Sequence, residues 1–118
     1  MPSYIGIIRG TEQAQAHLSP AEMQQVLERY ISWSEELQAA GRLVSGGGLS
    51  RSGRVLRASG GELTWTDGPH TEAAEIVGGF VVIEADDEEH AAKLFGTHPH
   101  LEFGPIELRK VGERGCEP

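Results

Sequence analysis

The sequence predicts an α+β domain with a mostly antiparallel sheet of split βαβ type and one added hairpin. Two capped helical stretches, a set of short apolar strand patterns and a glycine pair between extended runs lead to that class. The chain has 118 residues, enough for one domain, 1–118, that buries a modest core without metals or disulfides. No internal repeat or linker divides it.

The run from Tyr4 to Ile8 is short, apolar and closed by Arg9 and Gly10, as a buried strand is. A polar loop follows. In "LSPAEM", Ser19 is placed to cap a helix, Pro20 to take its first position and Glu22 to close a capping box. Met23, Val26, Leu27, Tyr30, Ser34 and Leu37 then recur at helical spacing, and Gly41 is placed to end the helix near Ala40.

Leu43 to Leu49 reads as a glycine-rich strand. Gly46, Gly47 and Gly48 lack the lysine, hydroxyl residue and helix start of a phosphate loop, so a bulge or close backbone packing is their use. Val55–Ala58 and Leu63–Thr66 flank "SGGE" and form the hairpin. "FVVIEA", entered from Gly79, is a strand, and Asp86 with Glu89 offers a second capping box for a helix over about Asp87–Phe95. Ile106–Val111 is the last strand, with Ile106 and Leu108 on one face and Glu107 and Arg109 on the other. The tail, 112–118, is expected to fray. This order is that of a ferredoxin-like sheet.

Charge and cysteine content narrow the function. Eighteen acidic against ten basic residues leave a net charge of −8, which repels a phosphate backbone and argues against nucleic acid as a partner. Cys116 is the single cysteine, so neither an intrachain disulfide nor a cysteine metal cage can form, which suits a reducing cytoplasm. No apolar run approaches the roughly 20 residues of a membrane span, and the N-terminus lacks a signal-peptide pattern. A soluble cytoplasmic protein is expected, away from membranes. Phe80 and Val82 alternate with Val81 and Ile83, so the central strand is apolar on both faces while two helices cover only one. A second copy is the expected cover, giving a two-fold homodimer; the alternative is a monomer whose own hairpin folds over that face.

Taken together, "YIGIIRG", "LSPAEM", "YISWSEELQAAGRLVSGGGL", "TDGPHTEAAEIVGGFVVIEA" and "HPHLEFGPIELRKV" resemble the YCII-related domain family, in particular its DGPF-type branch. The resemblance covers nearly the whole chain. It implies a dimeric α/β barrel of ferredoxin-like protomers, a pocket near the dimer interface, acid/base use of histidine and aspartate in some relatives, and association with bacterial sigma-factor systems. Asp67, Gly68, Pro69, Glu72 and Glu75 match the branch pattern. His70 stands where Phe or Tyr is usual, and Ala74 where lysine is common, so no lysine role carries over.

Asp67 ends a strand before a Gly-Pro turn, where its carboxylate can accept backbone N–H groups. Its functional alternative is to orient an imidazole, fixing the tautomer of His70, His98 or His100. In "THPH", an extended chain would place His98 and His100 on one face across Pro99. The spacing supplies no third ligand, so neither metal nor cofactor is expected. Trp33, Tyr30 and Trp65 are candidate pocket walls, with Tyr30 more simply a core residue. Tyr4 is expected to face away from the helices, toward the pocket and partner sheet. Arg9 and Arg54 are candidate anion binders, and Pro69, Glu72 and Glu75 complete the candidate ligand contacts beside Tyr4 and Arg9. The function expected is a pocket for a small organic metabolite, with lyase- or isomerase-like proton transfer by His and Asp. The competing class is a non-catalytic dimeric binding or regulatory module.

Overall fold

The computed structural model describes residues 1–68 and 76–118. Its described elements run β1 (Ser3–Gly10), α1 (Pro20–Ala39), β2 (Leu43–Gly48), β3 (Gly53–Ser59), β4 (Glu62–Gly68), β5 (Ile76–Glu84), α2 (Glu88–Phe95) and β6 (Ile106–Lys110), with short 3-10 turns at Glu12–Gln15 and Pro99–Glu102. Strands β2, β5, β1 and β6 pair in that order into one sheet, every neighbouring pair antiparallel. Two βα units interleaved so that β5 lies between β1 and β2 form the ferredoxin-like arrangement.

Local chemistry sets the helix ends. The Ser19 hydroxyl accepts the Glu22 amide while the Glu22 carboxylate accepts the Ser19 amide, the capping box expected for α1. Gly41, at φ 74°, turns the chain out of the helix. For α2 the cap falls one residue later than the sequence pattern suggested. Asp87, not Asp86, accepts the His90 amide at 2.8 Å, and Asp86 instead offers its own amide to His90 Nδ1 at 3.0 Å.

Both helices cover one face. Tyr4, Trp33, Leu37, Val81, Ile83, Ala85, Ala91 and Phe95 form the buried core there, with Ile8, Ile106 and Leu108 packed against it. The close approach of α2 to β1 depends on Gly6. A Cβ at that position would meet the Phe95 ring at 2.4 Å, well inside van der Waals contact. Tyr4 shares this face and is 4 % exposed, which corrects its expected orientation. Because Tyr4, Gly6 and Ile8 alternate with Ile5 and Ile7, the helix-facing set is the one that contains Gly6, the residue small enough to admit Phe95. The buried row of α1 is likewise rotated from the stripe first expected. Trp33 and Leu37 are buried, while Met23 and Leu27 are left exposed.

Among the described residues, strands β3 and β4 pair only with each other, as a second, two-stranded sheet. Every residue of β3 is exposed, and the hairpin projects from the end of the sheet at which β2 stops and β5 begins. The projection shows in the dimensions. The radius of gyration is 16.3 Å, against about 13.5 Å for a compact chain of this length. The hairpin therefore does not fold over the open sheet face of its own chain. That face presents Ile5, Ile7, Phe80 and Val82 in adjacent register, bordered by Glu107 and Arg109. Among the described residues, no helix is long and apolar enough to cross a membrane.

Candidate functional site

Backbone geometry around Pro99 places two histidines side by side. The extended conformation expected for "THPH" is not formed; Pro99 starts a 3-10 turn, with His98 as its N-cap. Nδ1 of His98 accepts the His100 amide at 2.9 Å. The two rings stand nearly perpendicular, with centroids 6.4 Å apart. Both residues are buried, at 4 % and 7 % exposure. A bidentate pair between Arg29 of α1 and Glu102 ties this turn to the helix.

Each imidazole is held in one tautomer. Nε2 of His100 lies 2.6 Å from the Arg9 carbonyl oxygen. A carbonyl only accepts, so Nε2 carries the proton and Nδ1 is left as acceptor for the Tyr30 hydroxyl, 2.8 Å away. Gly104 makes room for this: a Cβ there would sit 2.6 Å from the Arg9 oxygen and 3.3 Å from His100 Nε2. In His98, Nδ1 accepts a backbone N–H, so Nε2 again bears the proton. That Nε2 has no hydrogen-bond partner among the described residues and is not sealed from solvent. Burial, reinforced by the neighbouring His100, pushes the His98 pKa down to about 4. It is a neutral hydrogen-bond donor at neutral pH. Burial also raises the Tyr30 phenol, with Gln15 and Arg29 opposing the shift.

These groups form one wall of a cavity of about 650 Å³ between α1 and the sheet. Leu27, Tyr30 and Ile31 of α1 face the ends of β1 and β2 and the start of β5 across it. Gly46 and Gly48 lie on the helix-facing side of β2, opposite Val81 and Gly79, and their missing side chains leave the space open. The glycine run thus has a use beyond backbone packing. A 650 Å³ space is of the size that holds a small organic molecule.

The site residues expected from sequence divide sharply. His98, His100 and Arg9 meet at the cavity; the Arg9 carbonyl accepts from His100, and its guanidinium pairs with Glu107 at 3.2 Å. Tyr4 lies in the core and outside the lining. Asp67 is exposed on β4, opposite Arg54, and orients neither His98 nor His100, whose partners are Tyr30, the Arg9 carbonyl and their own loop amide. Arg54 stacks over Trp65, 5.0 Å from the ring centre. Trp33 is a core residue whose indole N–H donates to Thr97. Pro69, His70, Glu72 and Glu75 lie outside the described residues. Tyr30, a candidate pocket wall read more simply as core, lines the cavity and bonds His100. Its sequence signal was a phenol on an apolar helix row, since a buried hydroxyl needs a polar partner. Among the described residues, no group of three or more His, Cys, Asp or Glu gathers into a metal-binding cluster.

Fold and site together define a ferredoxin-like α+β protein with a histidine-walled cavity beneath its first helix. The model of the YCII-related domain matches residues 4–113, and the chain belongs to that family. Among solved structures the chain is similar to 5-chloro-2-hydroxyhydroquinone dehydrochlorinase (TftG) from Burkholderia phenoliruptrix AC1100, solved in complex with 2,5-dihydroxybenzoquinone. The TM-score is 0.53 at 15 % identity, over 98 % of this chain and 100 % of that one. A likeness at that identity is one of fold. Comparison with curated proteins returned no match.

Proposed function

We propose that the chain binds a small oxygenated organic molecule in this cavity and moves a proton on it, as a lyase- or isomerase-like enzyme. The observation that carries the reading is the Tyr30–His100–Arg9 chain of hydrogen bonds at the cavity wall. A ligand proton passes to the Tyr30 oxygen as the phenol proton moves to His100 Nδ1. The resulting imidazolium is held by the Arg9 carbonyl at Nε2. His98 Nε2–H donates to the ligand oxygen on which negative charge develops. Neither step uses Asp67.

The dehydrochlorinase of like fold, with its bound dihydroxyquinone, supports a ring of that scale as the first ligand to try. On the "DGP" motif we assign the chain to the DGPF-type branch, as a cytoplasmic homodimer packed through the open face of Ile5, Ile7, Phe80 and Val82. An association with sigma-factor systems rests on family resemblance alone. The test is solvent deuterium exchange into hydroxylated quinones and enolisable acids, beginning with 2,5-dihydroxybenzoquinone as binding probe. Saturable binding with exchange that Tyr30→Phe abolishes is expected. Absence of binding across the panel, or exchange unaffected by Tyr30→Phe, rejects the reading in favour of a non-catalytic module.

A further inference from the structure

The β3–β4 hairpin is amphipathic by register. Leu56 opposes Trp65 and Ala58 opposes Leu63 on one face, with Arg54 opposite Asp67 at its base and stacked over Trp65, while Arg57 opposes Thr64 and Val55 opposes Thr66 on the other. The apolar face lies open, with Leu56, Leu63 and Trp65 at 62 %, 61 % and 52 % exposure. An isolated two-stranded ribbon is marginal in water and needs cover for its apolar side. The hairpin's own body does not supply it.

We infer that the hairpin is an arm that crosses to a second copy of this chain and lays Leu56, Leu63 and Trp65 against that copy's open sheet face, beside Ile7 and Phe80. The inference rests on the homodimer proposed above and specifies what completes its interface. Two observations select a second copy as occupant. The first is charge. Arg51, Arg54 and Arg57 against Glu62 and Asp67 leave residues 51–68 at +1, so the remainder of a chain of net −8 carries −9. A weakly basic arm is drawn to an acidic body, and this chain provides both. The second is area. Ile5, Ile7, Phe80 and Val82 are already half-buried, so sheet contact alone is modest. Three exposed side chains add roughly 300 Å² per arm, the size of a patch that marks an interaction site. Two arms and the surfaces they cover bury on the order of 1,200 Å², within the range of a stable interface. The two-fold uses the hairpin's apolar face and the open sheet face at once.

The test places a photo-reactive benzoylphenylalanine at Trp65 in the full chain and irradiates a mixture of isotopically light and heavy protein. Mixed-isotope cross-links to peptides of strands β1 or β5 are expected. Cross-links that are intramolecular only, that map elsewhere on the second copy, or that do not form overturn the arm. A second measurement uses sedimentation. Leu56→Arg with Leu63→Arg is expected to weaken dimerisation about tenfold or more, and Thr64→Arg on the polar face to leave it unchanged. If Ile7→Arg dissociates the dimer while the paired Leu variant does not, the sheet-face dimer stands and the arm fails. If neither variant acts on a chain that sediments as a monomer, the dimer itself fails.

Discussion

The Tyr30 hydroxyl stands 2.8 Å from Nδ1 of His100, and the direction of that bond is set on the far side of the ring, where Nε2 must donate to the Arg9 carbonyl. Removing the hydroxyl takes away the hydrogen bond to His100 Nδ1 without emptying the core. Tyr30→Phe should cost about 1 kcal/mol of stability, the usual net worth of one hydrogen bond. Proton exchange on any bound ligand should fall at least a hundredfold. NMR of the His100 ring should show Nδ1 losing the signature of a hydrogen-bond acceptor, a readout that loss of packing alone does not move.

His98 makes stability depend on pH. Its folded pKa of about 4 lies below the unfolded value near 6.5, so the unfolded chain binds the proton more readily. The stability this histidine contributes is therefore full above about pH 6.5. It is lost as pH falls from there toward 4, up to about 3 kcal/mol. His98→Asn keeps a side-chain acceptor for the His100 amide and removes the titration. Urea melts from pH 7 to pH 4 should show a shallower decline for the variant; parallel declines would assign the acid sensitivity elsewhere.

Gly6→Ala probes the contact between β1 and α2. The new methyl would lie 2.4 Å from Phe95, whose side chain is buried at 4 % exposure. Overpacking of this kind costs about 1–3 kcal/mol or more. Pairing the change with Phe95→Leu should recover part of the loss, as a double-mutant cycle can measure.

Gly48→Leu tests whether the cavity is the ligand site. A Cβ at Gly48 meets nothing closer than the Gly78 carbonyl at 3.9 Å, so the fold should accept the side chain within about 0.5 kcal/mol. The leucine then occupies the cavity beside β2. Binding of 2,5-dihydroxybenzoquinone, followed by calorimetry, should weaken at least tenfold. Undiminished affinity would move the ligand to another surface.

Much of the fold could be read directly because its signals are local. The Ser19–Glu22 box, the period-two alternation of "FVVIEA" and the glycine pair of the hairpin each act within a few residues, and each element formed where they stood. Facing was harder to read. Tyr4 and Ile5 are both apolar, and only the tertiary fit of Phe95 over Gly6 decided which of them turned inward. The α1 row shifted too: Trp33, off the stripe that periodicity marked, is buried against Phe95 while Leu27 on that stripe stays exposed.

The sequence by itself determined the order of elements, the Ser19–Glu22 box, the Gly60–Gly61 hairpin turn and the excess of negative charge. The box and the turn follow from backbone chemistry acting over a few residues. Tertiary structure alone decided that Tyr30, 70 residues from His100, supplies its hydroxyl to that ring, that the Arg9 carbonyl accepts from the ring's other nitrogen, and that Asp67 stands on a projecting hairpin and not beside an imidazole. Hydrogen bonds between distant segments carry no periodic trace in the chain. They form only when the packing of α1 and α2 on one side of the sheet brings those atoms within about 3 Å of one another.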